Sequence, residues 1–374
     1  MKIAQIVPSL EARHGGPSRS VRGLAEGLAR CGQSVELLTT GPLEEPVPTL
    51  DGALTTHAFL RQCPEVLARS EQLQQHLKNR SYDLIHHHGL WQRPLHYARV
   101  AARRQRVPWV LSPRGMMCPW AWEHRRWKKR LASWIVHPGA FAAVSGWHAT
   151  SAAEADDIRG LGFTQPICVA PNGVVPPSAA EESAAREHWL AGIPALAGRR
   201  VALFYSRFHS KKRVLELIDL WLSAPRGDWV LLLVGIPEQY SVNQLDAYVL
   251  RNGGTGAVIV HDGAGRPPPY AVSSLFLLPS HSENFGLVVA EALVRGVPAL
   301  TTDSTPWQEL AVQGAGHCVP WSDFGSVLNG LLAESPAALQ ASGERARTWA
   351  RTAFSWESVA ATLLGFYARL STAR

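Results

Sequence analysis

The chain lacks most of the features that would narrow its role at a glance. Its 374 residues include five cysteines, at positions 31, 63, 118, 168 and 318. The count is odd, the set is scattered, and no C-x-x-C pair occurs. That argues against a disulfide framework or a zinc site and fits reduced cytosolic thiols. No apolar run approaches the ~20 residues of a membrane-spanning helix. The nearest, LASWIVHPGAFAAV, is broken by His137-Pro138-Gly139. Met1-Lys2 leads straight into IAQIV, too short for a signal-peptide core and without a cleavage site, so a cytoplasmic location is expected. The dinucleotide fingerprint G-x-G-x-x-G is missing, as are short-period repeats and low-complexity tracts.

What is present is an ordinary soluble composition, 46% hydrophobic and 18% charged, with a net charge of +7. A basic balance suits nucleic acid, anionic membrane or phosphorylated substrates without choosing among them. The length suffices for two domains. KIAQIVP reads as a short buried strand. PSRSVRGLAEGLARCG then shows apolar residues at helical spacing, with Pro17 near its start and Gly32 as a stop. SVELLTT follows as a strand, which completes a βαβ unit. YDLIHHHG and VPWVLSPRG supply further strands. The pattern restarts near residue 199 with RRVALFYSRF, VLELIDLWL, DWVLLLVG, GAVIVHDG and LFLLPS. The Pro- and Ala-rich stretch 172–200 is expected to be a linker, and SWESVAATLLGFYARL an amphipathic final helix. Two such halves imply two helix-covered parallel sheets, with ligands at the carboxyl ends of the strands, where a cleft is expected.

Four stretches carry chemistry. SRFHSKKR places Arg207 and Lys212 between a strand and a helix, where cations hold phosphate; a solvated basic loop is the plain alternative. HGGP, with Gly15 and Gly16, lets backbone approach a ligand in front of a helix N-terminus, or is a simple strand-to-helix turn. His86 and His88 share one face of a strand end and suit substrate hydrogen bonding, or are buried there. Three consecutive histidines cannot all ligate one ion, because neighbours on a strand point to opposite faces. Finally, HSENFGLVVAEALVRGVP sets Glu283 and Glu291 around an apolar helix. A buried carboxylate needs a partner, and the amides of Asn284, Phe285, Gly286 and Leu287 are helix-start donors suited to phosphate or sugar hydroxyls.

Taken in order along the chain, these stretches resemble the retaining, nucleotide-sugar-dependent glycosyltransferases of family 4, which have the GT-B fold. SENFGLVVAEALVRGVP is similar to the family's E-x7-E segment, SRFHSKKR to its phosphate loop and HGGP to its N-terminal glycine loop. HHHGLW, SPRGMMCPWAWEHRRWKKRLA, VAPNGV and STPWQEL resemble the bacterial polysaccharide and lipopolysaccharide branch. The resemblance implies two Rossmann-like domains facing each other across a cleft: an acceptor domain over 1–175 and a nucleotide-sugar domain over 198–354, with a helix at about 355–374 packing back on the first. It implies that Arg207, Lys212 and Glu283 act in catalysis. Gly15, Gly16, Arg114, Asn284, Phe285, Gly286, Leu287 and Glu291 would bind a UDP- or GDP-sugar, and His86 and His88 the acceptor. Arg114 stands where many relatives carry a histidine, so its role is left open. No D-x-D occurs in the chain, which fits a reaction without metal or other cofactor.

The expected activity is therefore sugar transfer to a saccharide or lipid-linked acceptor in cell-surface polysaccharide or lipopolysaccharide synthesis. Competing expectations are a GT-B nucleotide-sugar epimerase and a non-catalytic basic protein that binds membrane or nucleic acid; the set Arg207, Lys212, Glu283 and Glu291 weighs against the second, and no nucleic-acid partner is expected. Residues 119–134 mix arginine, lysine and tryptophan. They suit peripheral contact with an anionic inner membrane, or tryptophans packed inside with the cations solvated.

Overall fold

The computed structural model describes residues 1–11, 16–43, 50, 52–119, 122 and 139–372. Gly15 and nearly all of the arginine–tryptophan segment (residues 120, 121 and 123–134) lie outside them. The chain forms two compact units, one of Met1–Gly173 with Phe354–Arg374 and one of Val174–Ala353.

Unit 1 runs β1 (Lys2–Ile6), α1 (Gly16–Arg30), β2 (Ser34–Thr40), β3 (Leu54–Phe59), α2 (Glu71–Asn79), β4 (Leu84–His88), α3 (Arg93–Gln105), β5 (Trp109–Ser112), β6 (Gly146–Ala149), α4 (Ala152–Gly160) and β7 (Ile167–Val169). Its seven strands lie in the order β3-β2-β1-β4-β5-β6-β7, every pair parallel. Unit 2 runs α5 (Ala179–Gly192), β8 (Arg200–Tyr205), α6 (Val214–Ser223), β9 (Trp229–Gly235), α7 (Val242–Arg251), β10 (Val258–Asp262), β11 (Leu275–Leu278), α8 (Leu287–Val294), β12 (Ala299–Thr302), β13 (Gly316–Val319), α9 (Trp321–Ala333) and α10 (Pro336–Ala353). Its six strands lie in the order β10-β9-β8-β11-β12-β13, again all parallel. Continuous apolar runs such as WVLLLVG of β9, buried throughout, are what a parallel sheet covered on both faces requires. This is the two-domain, Rossmann-like GT-B fold. The strand order reverses between β1 and β4 in unit 1 and between β8 and β11 in unit 2. Open sheets of this kind bind ligands at such points, outside the carboxyl ends of the strands.

One segment departs from a simple reading of composition. The stretch expected to be a linker is instead largely built structure of unit 2. Alanine is the best helix former, and Ser178 with Glu181 closes a capping box at the start of α5. Trp189 is 1% exposed and donates its indole N–H to Pro267 O at 2.9 Å. The last helix, α11 (Trp356–Thr372), belongs to unit 1. Trp356, Val359, Leu363, Phe366 and Tyr367 join the core made by Leu24, Leu28 and the strands. The indole of Trp356 lies so close to Gly23 and Gly173 that a Cβ at either would overlap it, and one at Gly27 would stand 2.7 Å from the Trp356 main-chain oxygen.

Candidate functional site

In unit 2 the loop after β8 and the loop after β11 meet at the reversal of strand order. Phe208, fully buried, pins the first loop: its N–H donates to Ile236 O, and its carbonyl accepts from Gln239 N and Tyr240 N, each at 3.0 Å. The His209 ring accepts from Lys211 N at 2.9 Å. His281 N donates to Lys211 O at 2.8 Å, tying one loop to the other. Lys212 is thereby turned inward. It is 7% exposed and forms an ion pair with Glu283. Glu283 also accepts from Ser280 Oγ at 2.8 Å, and the Ser280 carbonyl accepts from Thr302 Oγ1 and Ser304 Oγ. Arg213 lies over the Trp321 ring, 4.6 Å from its centroid. Arg207, by contrast, is exposed and paired with Glu238 at 3.0 Å. The two cations grouped together in the sequence thus have different partners and different exposure.

The start of α8 is shaped by Gly286, whose φ of 77° is left-handed, a conformation glycine takes without strain. Phe285 O accepts from Trp307 Nε1 at 2.6 Å, so the STPWQEL stretch braces the helix opening where Asn284 and Leu287 lie. One turn further on, Glu291 is 7% exposed. Its carboxylate accepts from Tyr270 OH at 3.0 Å. Burial first, then the nearby Glu291 charge, drives the Tyr270 phenol well above its ordinary pKa, so it remains a neutral donor. Arg295 lies over the Tyr270 ring at 5.0 Å, donates to Glu291 O at 2.9 Å and pairs with Glu182 of α5 at 3.0 Å. Tyr270, Arg295 and Glu182 were not picked out from the sequence. Only the need of a buried carboxylate for a donor pointed toward such a group.

In unit 1 the carboxyl ends of β4 to β6 hold a neutral polar chain. Tyr367 OH lies 2.6 Å from His86 Nδ1, His86 Nε2 lies 2.8 Å from Ser112 Oγ, Ser112 Oγ lies 2.7 Å from His148 Nδ1, and His148 Nε2 lies 2.9 Å from Ala170 O. A carbonyl only accepts, so His148 carries its proton on Nε2. Ser112 then donates to Nδ1, His86 donates from Nε2, and Tyr367 donates to His86. Burial pushes His86 and His88 well below the usual histidine pKa, and His148 down to about 3. All three are therefore neutral near pH 7.

The two histidines expected to bind the acceptor are interior groups. His86 and His88 are 0% and 1% exposed, with ring centroids 4.2 Å apart. Both His86 nitrogens face Tyr367 and Ser112. His88 Nε2 faces Gln5 Oε1 at 2.6 Å, and its Nδ1 faces the Arg114 guanidinium at 3.0 Å. With α11 closing over the strand end, neither ring has a nitrogen left for an acceptor. Arg114 is the group they position. It has a left-handed φ of 55°, donates to Asn172 Oδ1 at 2.6 Å, and is pushed down to about 10 by burial, against the opposing charge of Glu154. It stays cationic. Gly16 opens α1 and is exposed.

Among the described residues one group has metal-ligand chemistry: Glu36, His57 and His76, with ligand atoms within 4.8 Å of one another. Glu36 is already bonded to Tyr82 at 2.6 Å, His76 at 2.9 Å and Lys2 at 3.0 Å. The group sits on β2, β3 and α2, apart from the residues above. No described helix is long and apolar enough to cross a membrane.

Residues 15–173 match the glycosyl transferase 4-like domain family, and residues 186–345 match the glycosyl transferases group 1 family. A curated D-inositol 3-phosphate glycosyltransferase of Xylanimonas cellulosilytica is 29% identical over 255 residues, 62% of this chain and 59% of that protein. The match thus spans under two thirds of that relative. Among solved structures, Anabaena HepE in complex with UDP aligns over 99% of this chain and 100% of that one, with a TM-score of 0.76 and 20% identity. Sucrose-phosphate synthase of Thermosynechococcus elongatus aligns over 100% of both chains, with a TM-score of 0.74 and 19% identity. WaaG, a glycosyltransferase involved in lipopolysaccharide biosynthesis, aligns over 98% of this chain and 99% of that one, with a TM-score of 0.69 and 19% identity. At these identities the structures speak for the fold.

Proposed function

We propose, from the premise that the chain belongs to the glycosyltransferases built of a 4-like domain and a group 1 domain, that it moves a sugar from a nucleotide-sugar donor to a saccharide or lipid-linked saccharide acceptor. The observation that carries this is the buried Lys212 held against Glu283 at the strand reversal of unit 2. Cleavage of a glycosyl–phosphate bond develops negative charge on the leaving diphosphate. A fixed ammonium and helix-start amides stabilise that charge more in the transition state than in the ground state. With diphosphate bound, Lys212 turns to phosphate and Glu283 is released to a hydroxyl of the transferred sugar. Glu291, held by Tyr270, accepts from the ribose hydroxyls. Asn284 to Leu287 bind the sugar through backbone. The family resemblance gives Gly15, Gly16 and Arg114 to donor binding as well, and Arg207 assists the diphosphate from the exposed edge of unit 2.

The reaction retains anomeric configuration and uses no metal, with lysine and arginine in its place. UDP in the HepE structure supports a uridine nucleotide. The likeness to WaaG supports a role in lipopolysaccharide or cell-surface polysaccharide synthesis, carried out in the cytoplasm at the inner membrane, with residues 119–134 meeting anionic lipid.

The test is incubation of the purified chain with UDP- and GDP-sugars, with and without saccharide acceptors, in EDTA. Released nucleoside diphosphate is measured, and the product anomer is read by NMR. Acceptor-dependent release with retained configuration is expected. Release that requires added magnesium or manganese would overturn the metal-free reading, and an inverted product the retaining one. Interconversion of the donor without acceptor would replace transfer by epimerisation.

A further inference from the structure

At the amino ends of β5 and β6, the opposite edge of the sheet from Arg114, lies a cavity of about 540 Å³ lined by Arg99, Ala102, Arg103, Arg106, Val107, Trp109, Gly139, Ala143 and Ser145. Among the described lining residues three are arginines and none is an acid. Arg99, Arg103 and Arg106 follow one another at helical spacing (i, i+4, i+7) and so share one face at the end of α3. The Arg99 guanidinium reaches across to the far wall, where its Nη1 would lie 3.7 Å from a Cβ at Gly139. Among the described residues, Arg103 and Arg106 are exposed and have no carboxylate partner. Like charges at i, i+4 oppose helix formation. The helix dipole favours cations at a carboxyl terminus, which rationalises Arg103. It does not account for Arg106 at φ 53°, a left-handed position that glycine takes without strain. Trp109 is 2% exposed and lines this cavity as well, so its ring forms part of the wall and senses whatever enters.

We infer that this cavity is a second, separate anion site of unit 1, and that it takes a phosphate group carried on an apolar stem. Guanidinium forks suit phosphate oxygens. Ala102, Val107 and Ala143 give the stem an apolar wall. The chemistry is common to a soluble phosphate ester and to a lipid headgroup.

The experiment uses the full chain with indole 15N-labelled tryptophan, the Trp109 resonance being assigned by Trp109→Phe. Hexyl phosphate, hexanol, and vesicles of phosphatidylglycerol or phosphatidylcholine are added in turn. Hexyl phosphate or phosphatidylglycerol vesicles are expected to bind and to shift the Trp109 indole signal. Arg103→Glu with Arg106→Glu should weaken that binding about 10- to 150-fold, while hexanol and phosphatidylcholine bind neither protein. Binding of hexyl phosphate alone identifies a soluble ester; binding of phosphatidylglycerol alone identifies a headgroup. The inference is overturned if neither probe binds, if the Trp109 signal stays still on binding, or if charge reversal leaves affinity unchanged. Both arginines are exposed, so the variant keeps its core, and the indole signal separates this cavity from phosphate binding near Lys212.

Discussion

At the carboxyl edge of the unit 1 sheet, two histidines, a serine and a tyrosine form one hydrogen-bonded chain, with His88 beside them bonded to Gln5 and Arg114, and all are almost wholly enclosed. At the same edge of unit 2, a lysine and a glutamate form an ion pair close to the surface, and a second glutamate rests on a tyrosine. The two units share a strand pattern and differ in what their polar groups are free to do. A neutral network with each proton placed by its neighbours fixes the backbone that presents Arg114, and exchanging any member leaves a buried group unsatisfied. A charged pair can trade one partner for a ligand of the same sign. Unit 1 is thus built to hold a shape, and the role proposed for unit 2 asks its pair to hand over a charge.

Acid should expose the difference most strongly. His86, His88 and His148 have pKa values depressed by burial, His148 to about 3, whereas unfolded histidine titrates near ~6.5. Below that value the unfolded chain binds protons that the folded chain refuses, so stability falls as pH falls and is level above it. Each histidine contributes about 1.4 kcal/mol per pH unit, up to about 4 kcal/mol for the three between roughly pH 6.5 and 5.5. No histidine of unit 2 is buried. Hydrogen exchange at pH 7 and pH 5.5 should show protection lost in unit 1 well before unit 2; equal losses would break the contrast.

Removing the exchangeable charge comes next. Lys212→Ala should lower kcat about 10²- to 10³-fold, the scale for losing one preorganised donor to a developing charge. Steady-state kinetics with a saturating donor would read it. A change in KM alone would make Lys212 a binding residue with no preference for the transition state.

Glu291→Gln keeps an acceptor for Tyr270 but removes the charge. Nucleoside diphosphate affinity, measured by calorimetry, should fall about 10- to 150-fold. Unchanged affinity would remove Glu291 from the nucleotide site.

The smallest effect is expected at Arg207. Its side chain and that of its partner Glu238 are 58% and 41% exposed, and surface pairs contribute about 0–1 kcal/mol. Arg207→Ala should leave the melting temperature almost unmoved and reduce turnover far less than Lys212→Ala. Equal losses would show that the exposed cation works as hard as the buried one.

The E-x7-E segment, the basic loop after β8 and the strand pattern could be read along the chain because each is local: a run of apolar residues, a loop between strand and helix, two acids on one helix. What the sequence concealed depends on distance. Tyr270 meets Glu291 from a turn before β11. Tyr367 meets His86 across 281 positions, and no spacing rule links them. His86 and His88 were placed on one face by strand alternation, correctly in geometry, but alternation does not say whether that face is covered. The stretch 172–200 misled through composition: its Pro, Ala, Gly and Ser read as a linker, while Ser178, Glu181 and Trp189 build a helix that carries Glu182 to Arg295.

The glycines around Trp356 have a consequence for the order in which the protein comes off the ribosome. Unit 1 begins the chain, yet its core against α1 lacks Trp356, Leu363 and Phe366 until all of Val174–Ala353 has been translated, roughly 10–40 s at ordinary elongation rates. Unit 2 has its whole sequence in hand first. The earlier half of the polypeptide therefore waits with the Leu24 and Leu28 face of α1 uncovered while the later half folds. Nascent chains stalled on an unrelated linker that carries residue 353 clear of the ribosomal tunnel should hold a protease-resistant unit 2 and a susceptible unit 1, and placing the last helix before the linker should reverse that susceptibility.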